Sequence, residues 1–171
     1  MKISEKNFLF TVKILIWLIF AIIIVFLVWQ KAAPAGQVTY FWDFSEKPRF
    51  ISDFYPVGRV ALTDGMQIIN SEPVYIDVYS PRRFSKAKVK IVYRSPALET
   101  KFGIKLNVND WGFYFEKLPA TGEQFQEADL EFSLAKAQLI GNKIKFSLAG
   151  PEIDSSVEKI ILDSIEINLI K

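Results

Sequence analysis

The first part of the chain is one long apolar segment. From Ile14 to Trp29 it has no charged or polar side chain. A helix rises about 1.5 Å per residue, so residues 8–29 are long enough to cross a hydrocarbon core of about 30 Å. Lys13 near one edge can extend its ammonium group to the headgroups, and Trp29 lies at the other edge, where indole rings prefer the interface. The pattern predicts a transmembrane helix over 8–29, after a tail of residues 1–7.

After a short linker, residues 30–37, the pattern changes to short segments in which apolar and polar residues alternate. Roughly ten such segments follow one another, separated by turns rich in Gly, Pro, Asn and Asp. This spacing is typical of an antiparallel β-sandwich or barrel, here over residues 38–171. Two segments alternate most clearly, and their core-facing residues are expected to be Ala87, Val89, Ile91 and Tyr93 in one, and Phe102, Ile104, Leu106 and Val108 in the other.

The apolar segment also has features of a cleaved signal peptide. Ala33 and Ala35 have the small-residue spacing of a cleavage site before Gly36. A signal peptide usually has an apolar core of about 7–15 residues, and this one is longer, which favours an uncleaved anchor in the lipid bilayer. Both interpretations predict that the following domain is exported.

The flanking lysines predict the orientation. Lys2, Lys6 and Lys13 precede or enter the span, whereas Lys31 alone follows it closely. The positive-inside rule then places the N-terminus in the cytoplasm. The expected localisation is a single-pass cell-membrane protein with an extracytoplasmic C-terminal domain.

Charge and composition exclude several functions. Four of the 21 Lys and Arg residues and one of the 19 Asp and Glu residues lie in the first 31 positions, so the remainder is near neutral and is not expected to bind nucleic acid. The chain has no Cys and no His, which excludes thiol catalysis, Ser-His-Asp triads and Cys/His zinc sites. We therefore expect no enzymatic activity and no cofactor. The lack of Cys fits a bacterial cell envelope.

The C-terminal stretch "KIKFSLAGPEI…KIILDSIEINLIK" resembles the closing hairpin of galactose-binding-domain-like jelly rolls, which include many carbohydrate-binding modules. In that family the last strand carries an Ile-x-Ile-x-Leu core face, matched here by Ile165, Ile167 and Leu169. The stretch "DVYSPRRFSKAKVKIVYR" is similar to the family's central hairpin. The resemblance implies a jelly-roll sandwich over residues 38–170 and suggests glycan binding, although similar sandwiches also serve adhesion and assembly.

Two groups of residues are candidates for binding. The tip "VNDWGFYF" places Trp111 among the turn formers Asn109, Asp110 and Gly112. An exposed indole there would stack on a sugar ring while Asn109 and Asp110 bond the hydroxyl groups. Arg82 and Arg83 would recognise acidic sugars if their loop lies at the same end of the sandwich. The alternative is that Trp111 folds back onto the core.

The second group is a basic run on one predicted strand. Lys86, Lys88, Lys90 and Arg94 share its outward face, with no acidic residue between them. One interpretation is a patch that binds anionic polymers or lipid headgroups. The other is a solvated strand face or an edge protected by lysines. The functional alternatives are therefore a glycan-binding module and an assembly domain that docks onto another envelope protein.

Overall fold

The computed structural model describes residues 5–32, 36–95, 102–109, 112–150, 153 and 159–171. It divides into two compact units, Met1–Ala35 and Gly36–Lys171. The first contains the helix α1, Glu5–Ala32. In the described part of the second unit the strands are β1 Gln37–Trp42, β2 Val60–Thr63, β3 Met66–Ile69, β4 Val74–Tyr79, β5 Lys86–Arg94, β6 Gly103–Asn107, β7 Phe113–Lys117, β8 Gln126–Ser133, β9 Leu139–Ile140, β10 Lys143–Ala149 and β11 Ile160–Ile170.

These strands form two antiparallel sheets. The back sheet has the order β2-β3-β11-β5-β8, and β1 also pairs with β11. The front sheet has the order β4-β10-β6-β7, and β9 also pairs with β10. The prediction of an all-β antiparallel sandwich preceded by one apolar N-terminal helix is confirmed.

The core lies between the two sheets and follows the predicted alternation. Buried residues alternate with half-buried or exposed ones along β5 and over most of β6 and β11; Gly103 and the bulge between Leu162 and Ser164 interrupt the pattern. Of the expected core residues, only Val108 is partly buried, because it lies just beyond the end of β6. The buried ones are Ala87, Val89, Ile91, Tyr93, Phe102, Ile104, Leu106, Ile165, Ile167 and Leu169.

One expected strand is replaced by an irregular segment. Residues 49–54 are expected as a strand between two turns, yet Ile51 and the adjacent Tyr55 make only isolated bridges, to Val78 and Tyr75 of β4. Pro48 and Pro56 flank the segment, and proline has no amide hydrogen to donate to a ladder. The segment still lies along β4 and adds Tyr55 to the outward face of the front sheet.

Candidate functional site

The outward face of the front sheet carries a groove made of two adjoining cavities. One encloses about 510 Å³ and the other about 310 Å³, and both are lined by Gln138, Ile140 and Lys145. Most of the other lining residues belong to strands, so the pairing of the sheet fixes their spacing. The lining residues on which the chemistry below depends are Tyr75, Lys105, Asn107, Phe113 and Ser147 in the larger cavity, and Asp77 and Lys143 in the smaller one.

A row of residues crosses the sheet beneath this groove. Tyr55 is bridged to Tyr75 on β4, which pairs with Ser147 on β10. Ser147 pairs with Lys105 on β6, and Lys105 pairs with Phe115 on β7. Paired residues point to the same face, and neighbouring strands lie about 4.8 Å apart, so Tyr75 and Phe115 are separated by about 14 Å. The row has aromatic rings at both ends and polar groups between them.

Each end of the row holds a lysine against aromatic rings. The Nζ atom of Lys105 lies 4.9 Å from the centroid of Phe113 and 5.8 Å from that of Phe115. The Nζ atom of Lys145 lies 5.6 and 5.5 Å from the centroids of the two tyrosines of the row. These distances are within the range of cation–π attraction, which orders both ammonium groups in the groove.

A carboxylate holds the tyrosine end in place. The hydroxyl of Tyr55 donates a hydrogen bond of 2.9 Å to Oδ1 of Asp77, and the amide of Asp77 donates one of 2.8 Å to Oγ of Ser52. Burial, followed by this hydrogen bond and by the charge of Asp77, raises the pKa of Tyr55. The Tyr55 hydroxyl therefore stays protonated and keeps its ring oriented at neutral pH.

The groove carries excess positive charge. Lys105, Lys143 and Lys145 line it, and none of them forms an ion pair with another residue that the structure describes. Among the described lining residues, Asp77 is the single carboxylate. An anionic group entering the groove would therefore meet ordered ammonium groups without displacing an existing partner.

Gly103 on β6 leaves room for the ring of Phe115, which extends from β7 over the sheet. A Cβ atom at Gly103 would lie 2.4 Å from the carbonyl oxygen of Glu116 and about 2.5 Å from the ring of Phe115. The Phe115 ring therefore lies directly on the backbone of β6. No other residue type fits at this position without moving β7.

The structure places two of the predicted site residues at one end of the sandwich. Asn109 and Arg83 are exposed, and both line a separate pocket of about 370 Å³ together with Phe84 and Leu134. The condition that the arginine loop lies at the same end as Asn109 is therefore met by Arg83, and its role in recognising acidic sugars stays a prediction. Trp111 and Asp110 lie outside the described residues, so the stacking role assigned to them stays a prediction.

Arg82 is packed differently from its neighbour. Its Cζ atom lies 5.3 Å from the ring centroid of Phe84, and its Nε and Nη2 atoms are buried without a hydrogen-bond partner among the described residues. Its carbonyl oxygen accepts a hydrogen bond of 2.7 Å from Ser80. In this arrangement those two nitrogens are not presented to solvent, so a sugar-binding role for Arg82 would require its side chain to move.

The basic run lies on the outward face of β5, as predicted, and acidic residues lie beside it. Lys86 and Lys88 are 2.6 and 4.0 Å from the carboxylate of Glu131, and Lys90 is 2.9 Å from that of Glu127. The hydrogen bond from Lys86 lowers the pKa of Glu131, and the bond to Glu127 raises the pKa of Lys90. Arg94 lies over the ring of Phe125 at 5.4 Å. This charge balance favours the solvated strand face, and anion binding at Lys86, Lys88, Lys90 and Arg94 stays a prediction.

The groove residues were not identified from the sequence. Tyr75, Asp77 and Tyr79 alternate with buried residues along β4, and Phe113 and Phe115 share one face of β7, where every residue is exposed. Aromatic rings at outward positions of two strands were the available signal. The sequence pattern does not show that β4 and β7 lie on either side of one groove.

The fold and this face define the class of the molecule: an antiparallel β-sandwich with an aromatic and basic groove on one sheet. No protein-family model and no curated protein sequence matches the chain. Solved structures that resemble it include a CBM35 from Cellvibrio japonicus Abf62, with a TM-score of 0.48, 13% identity, and coverage of 76% of this chain and 92% of that one. A xylan-binding module, CBM15, has a TM-score of 0.48, 13% identity, and coverage of 78% and 97%. A C-terminal CBM6 of LamC from Zobellia galactanivorans has a TM-score of 0.45, 8% identity, and coverage of 78% and 100%.

Proposed function

We propose that the β-sandwich domain is a non-enzymatic glycan-binding module and that its binding site is the groove of the front sheet. The observation that carries this proposal is the row across the groove, with tyrosines at one end, phenylalanines at the other and polar groups between them. Sugar rings present apolar C–H faces that stack on aromatic rings. Their hydroxyl groups would bond Asn107 and Gln138 in the middle of the groove.

The charge of the groove favours acidic glycans. Lys105 and Lys145 are ordered by the rings beneath them and form no ion pair with another described residue; Asp77 lies opposite Lys145 in the sheet, and Lys105 has no carboxylate opposite it. A uronic acid or sulfated sugar between the two aromatic ends would form charge-assisted hydrogen bonds with these ammonium groups. The acidic preference first assigned to the arginine loop is therefore proposed for the lysines of the groove.

A binding role fits the side chains better than catalysis does. Most glycoside hydrolases use a pair of carboxylates that flank the scissile bond. Among the described residues that line the groove, Asp77 is the single carboxylate, and it already accepts a hydrogen bond from Tyr55. The chain has no His and no Cys to replace a second acid or base.

A glycan array tests the proposal. The domain Gly36–Lys171, which has its own core, is expected to bind acidic oligosaccharides with Kd in the micromolar to millimolar range, about −4 to −8 kcal/mol. Binding should weaken as salt rises, because the groove is open to solvent and its lysines are screened. Neutral glycans of the same linkage serve as the control. Failure to bind any glycan on the array would contradict the proposed function.

An assembly role is the second candidate, and the exposed strand β7 is the observation that favours it. Phe113, Tyr114 and Phe115 are all exposed at the end of the front sheet. Edge strands of this kind accept a strand from another chain. The exposure of Tyr114 also suits glycan binding, which needs exposed aromatic residues, so the two roles have to be separated by experiment.

We also propose that α1 anchors the domain in the cell membrane, with the N-terminus in the cytoplasm. The segment Thr11–Val28 has a mean hydropathy of 2.9, and its length and composition suit both a membrane span and a signal sequence. Protease added to spheroplasts should therefore degrade the domain and spare the N-terminus. Mass spectrometry should find the intact chain. A mature chain that starts at Gly36 would show that the segment is a signal peptide.

A further inference from the structure

The strand β7 has a free edge whose hydrogen-bonding groups can be assigned. The amide of Leu118 donates to Phe102 at 2.9 Å, and the amide of Val108 donates to Gly112 at 3.1 Å. Hydrogen-bonded positions alternate along an antiparallel pair. The backbone N–H and C=O groups of the even-numbered residues in this stretch therefore point towards β6. The N–H and C=O groups of Phe113, Phe115 and Lys117 therefore point away from the sheet, where no described strand pairs with them.

This edge carries less charge than another edge of the sandwich: its two charged residues, Glu116 and Lys117, lie at one end of the strand, and the other three are aromatic. On β8, the edge of the back sheet, Glu127, Asp129 and Glu131 are exposed. On β7, Phe113 and Phe115 are 57% and 38% exposed on one face of the strand, and Tyr114 is 42% exposed on the other. Proteins usually blunt free edges with charges, prolines or bulges, because an apolar edge pairs with other chains.

We propose that β7 pairs with the β7 strand of a second copy of this chain, antiparallel and with Phe115 opposite the partner's Phe115. In this register Phe113 faces the partner's Lys117, so every outward-facing backbone group of the strand gains a partner. A shift by one residue pair would leave Lys117 or Phe113 opposite residues beyond the end of the strand. The interface is then isologous about a two-fold axis that passes beside Phe115.

The side chains of the strand complement one another in the same register. On the groove face, the two Phe115 residues lie directly opposite each other, with each ring lying back over Gly103 of its own β6. Each Phe113 lies opposite the partner's Lys117. A lysine over an aromatic ring is the arrangement that this face already uses at Lys105. On the other face, Tyr114 lies opposite the partner's Glu116, so its hydroxyl group can donate to a carboxylate. Cross-strand pairs of these types stabilise antiparallel sheets.

The pairing would have a consequence for the groove. Paired residues of an antiparallel ladder point to the same face, so the two front sheets would form one continuous sheet with both grooves on one surface. Phe113 and Phe115 of both copies would lie at the centre of this continuous sheet. The inference does not depend on glycan binding, since it rests on the hydrogen-bonding phase and composition of β7.

The absence of cysteine from the natural chain makes the register directly testable. In the full chain, in membranes, a Phe115→Cys variant should form a disulfide-linked dimer under oxidation, because the paired Cα atoms would lie about 5.5 Å apart. The apparent mass on a non-reducing gel should shift from 19.6 kDa to twice that value. A Phe113→Cys variant is the matched control, since two copies of this residue would lie about 13 Å apart along the strands. Combining Phe113→Cys with Lys117→Cys should restore the cross-link.

Any other pattern of cross-linking among these variants counts against the proposal. Equal cross-linking of Phe113→Cys and Phe115→Cys would indicate random collision or dimerisation elsewhere, and a cross-link to a protein of another mass would assign the edge to a different partner. As a second measurement, Phe115→Lys places two like charges at the axis. It should shift the detergent-solubilised chain from dimer to monomer in sedimentation, whereas Leu62→Lys on β2 should not. A monomeric natural chain would overturn the proposal.

Discussion

Replacing Tyr75 by alanine should weaken the binding of an acidic glycan by the domain about thirtyfold. The Tyr75 side chain lines the groove, and its residue belongs to the row that crosses the sheet. Truncation of an aromatic side chain that anchors a ligand costs about 2 kcal/mol, which is roughly a thirtyfold change in Kd. Lys145 would also lose one of the two rings that order its ammonium group. Titration calorimetry with the strongest ligand of the glycan array measures the change.

Two further variants locate the site. Tyr114→Ala removes an exposed ring of the same type from the opposite face of the front sheet, so it should leave Kd unchanged. Trp111→Ala tests the predicted loop site, in which Trp111, Asn109 and Asp110 bind the sugar. If Trp111→Ala abolishes binding while Tyr75→Ala does not, the glycan binds at the loop and the assignment to the groove is wrong.

The sequence predicts the core of the sandwich well, and the reason is the period of the β-strand. A side chain on a strand points to the same face as the one two positions away, so a run such as that of β5 specifies its own buried face. Ala87, Val89, Ile91 and Tyr93 are buried as this rule requires. The rule needs no knowledge of which strand lies next to which.

The groove could not be predicted from the sequence, because the period of a strand carries only local information. A local pattern shows which residues face outward, but the order of strands in a sheet depends on contacts between distant parts of the chain. In the front sheet, β4 and β7 lie on either side of β10 and β6, although β4, β6 and β10 are far apart in sequence. Tyr75 and Phe115 come to face each other across one groove through that order.

The basic run on β5 is a second example in which the face of a strand was predicted but its neighbouring strands were not. Its outward face was predicted correctly from the alternation of β5. The register of the sheet then places Asp129 of β8 and Glu166 of β11 opposite Lys90. Opposite charges at directly paired positions stabilise an antiparallel sheet and balance the lysines. Whether a row of cations is a binding patch therefore depends on residues of the adjacent strands, which the local sequence does not reveal.

The largest effect on stability is expected for Phe146→Ala, which should lower the free energy of unfolding of the domain by about 3–5 kcal/mol. Phe146 lies on β10, between Ile76 of β4 and Leu106 of β6, and all three are fully buried. Its ring meets that of Phe132 from the back sheet edge-to-face, at 5.6 Å between centroids. The substitution would leave a cavity where the two sheets join, and rigid neighbouring strands cannot collapse into it.

Urea denaturation of the domain measures this effect as a lower midpoint with an unchanged slope. Because domains of this kind are stable by only about 5–15 kcal/mol, the variant should lose a large part of its stability. Lys143→Ala, at an exposed position of the same strand, is the matched control and should change the free energy by less than about 0.5 kcal/mol. Phe146→Leu should recover part of the loss, since it keeps most of the apolar volume. Equal midpoints for Phe146→Ala and Lys143→Ala would mean that the front and back sheets are not joined through this ring pair.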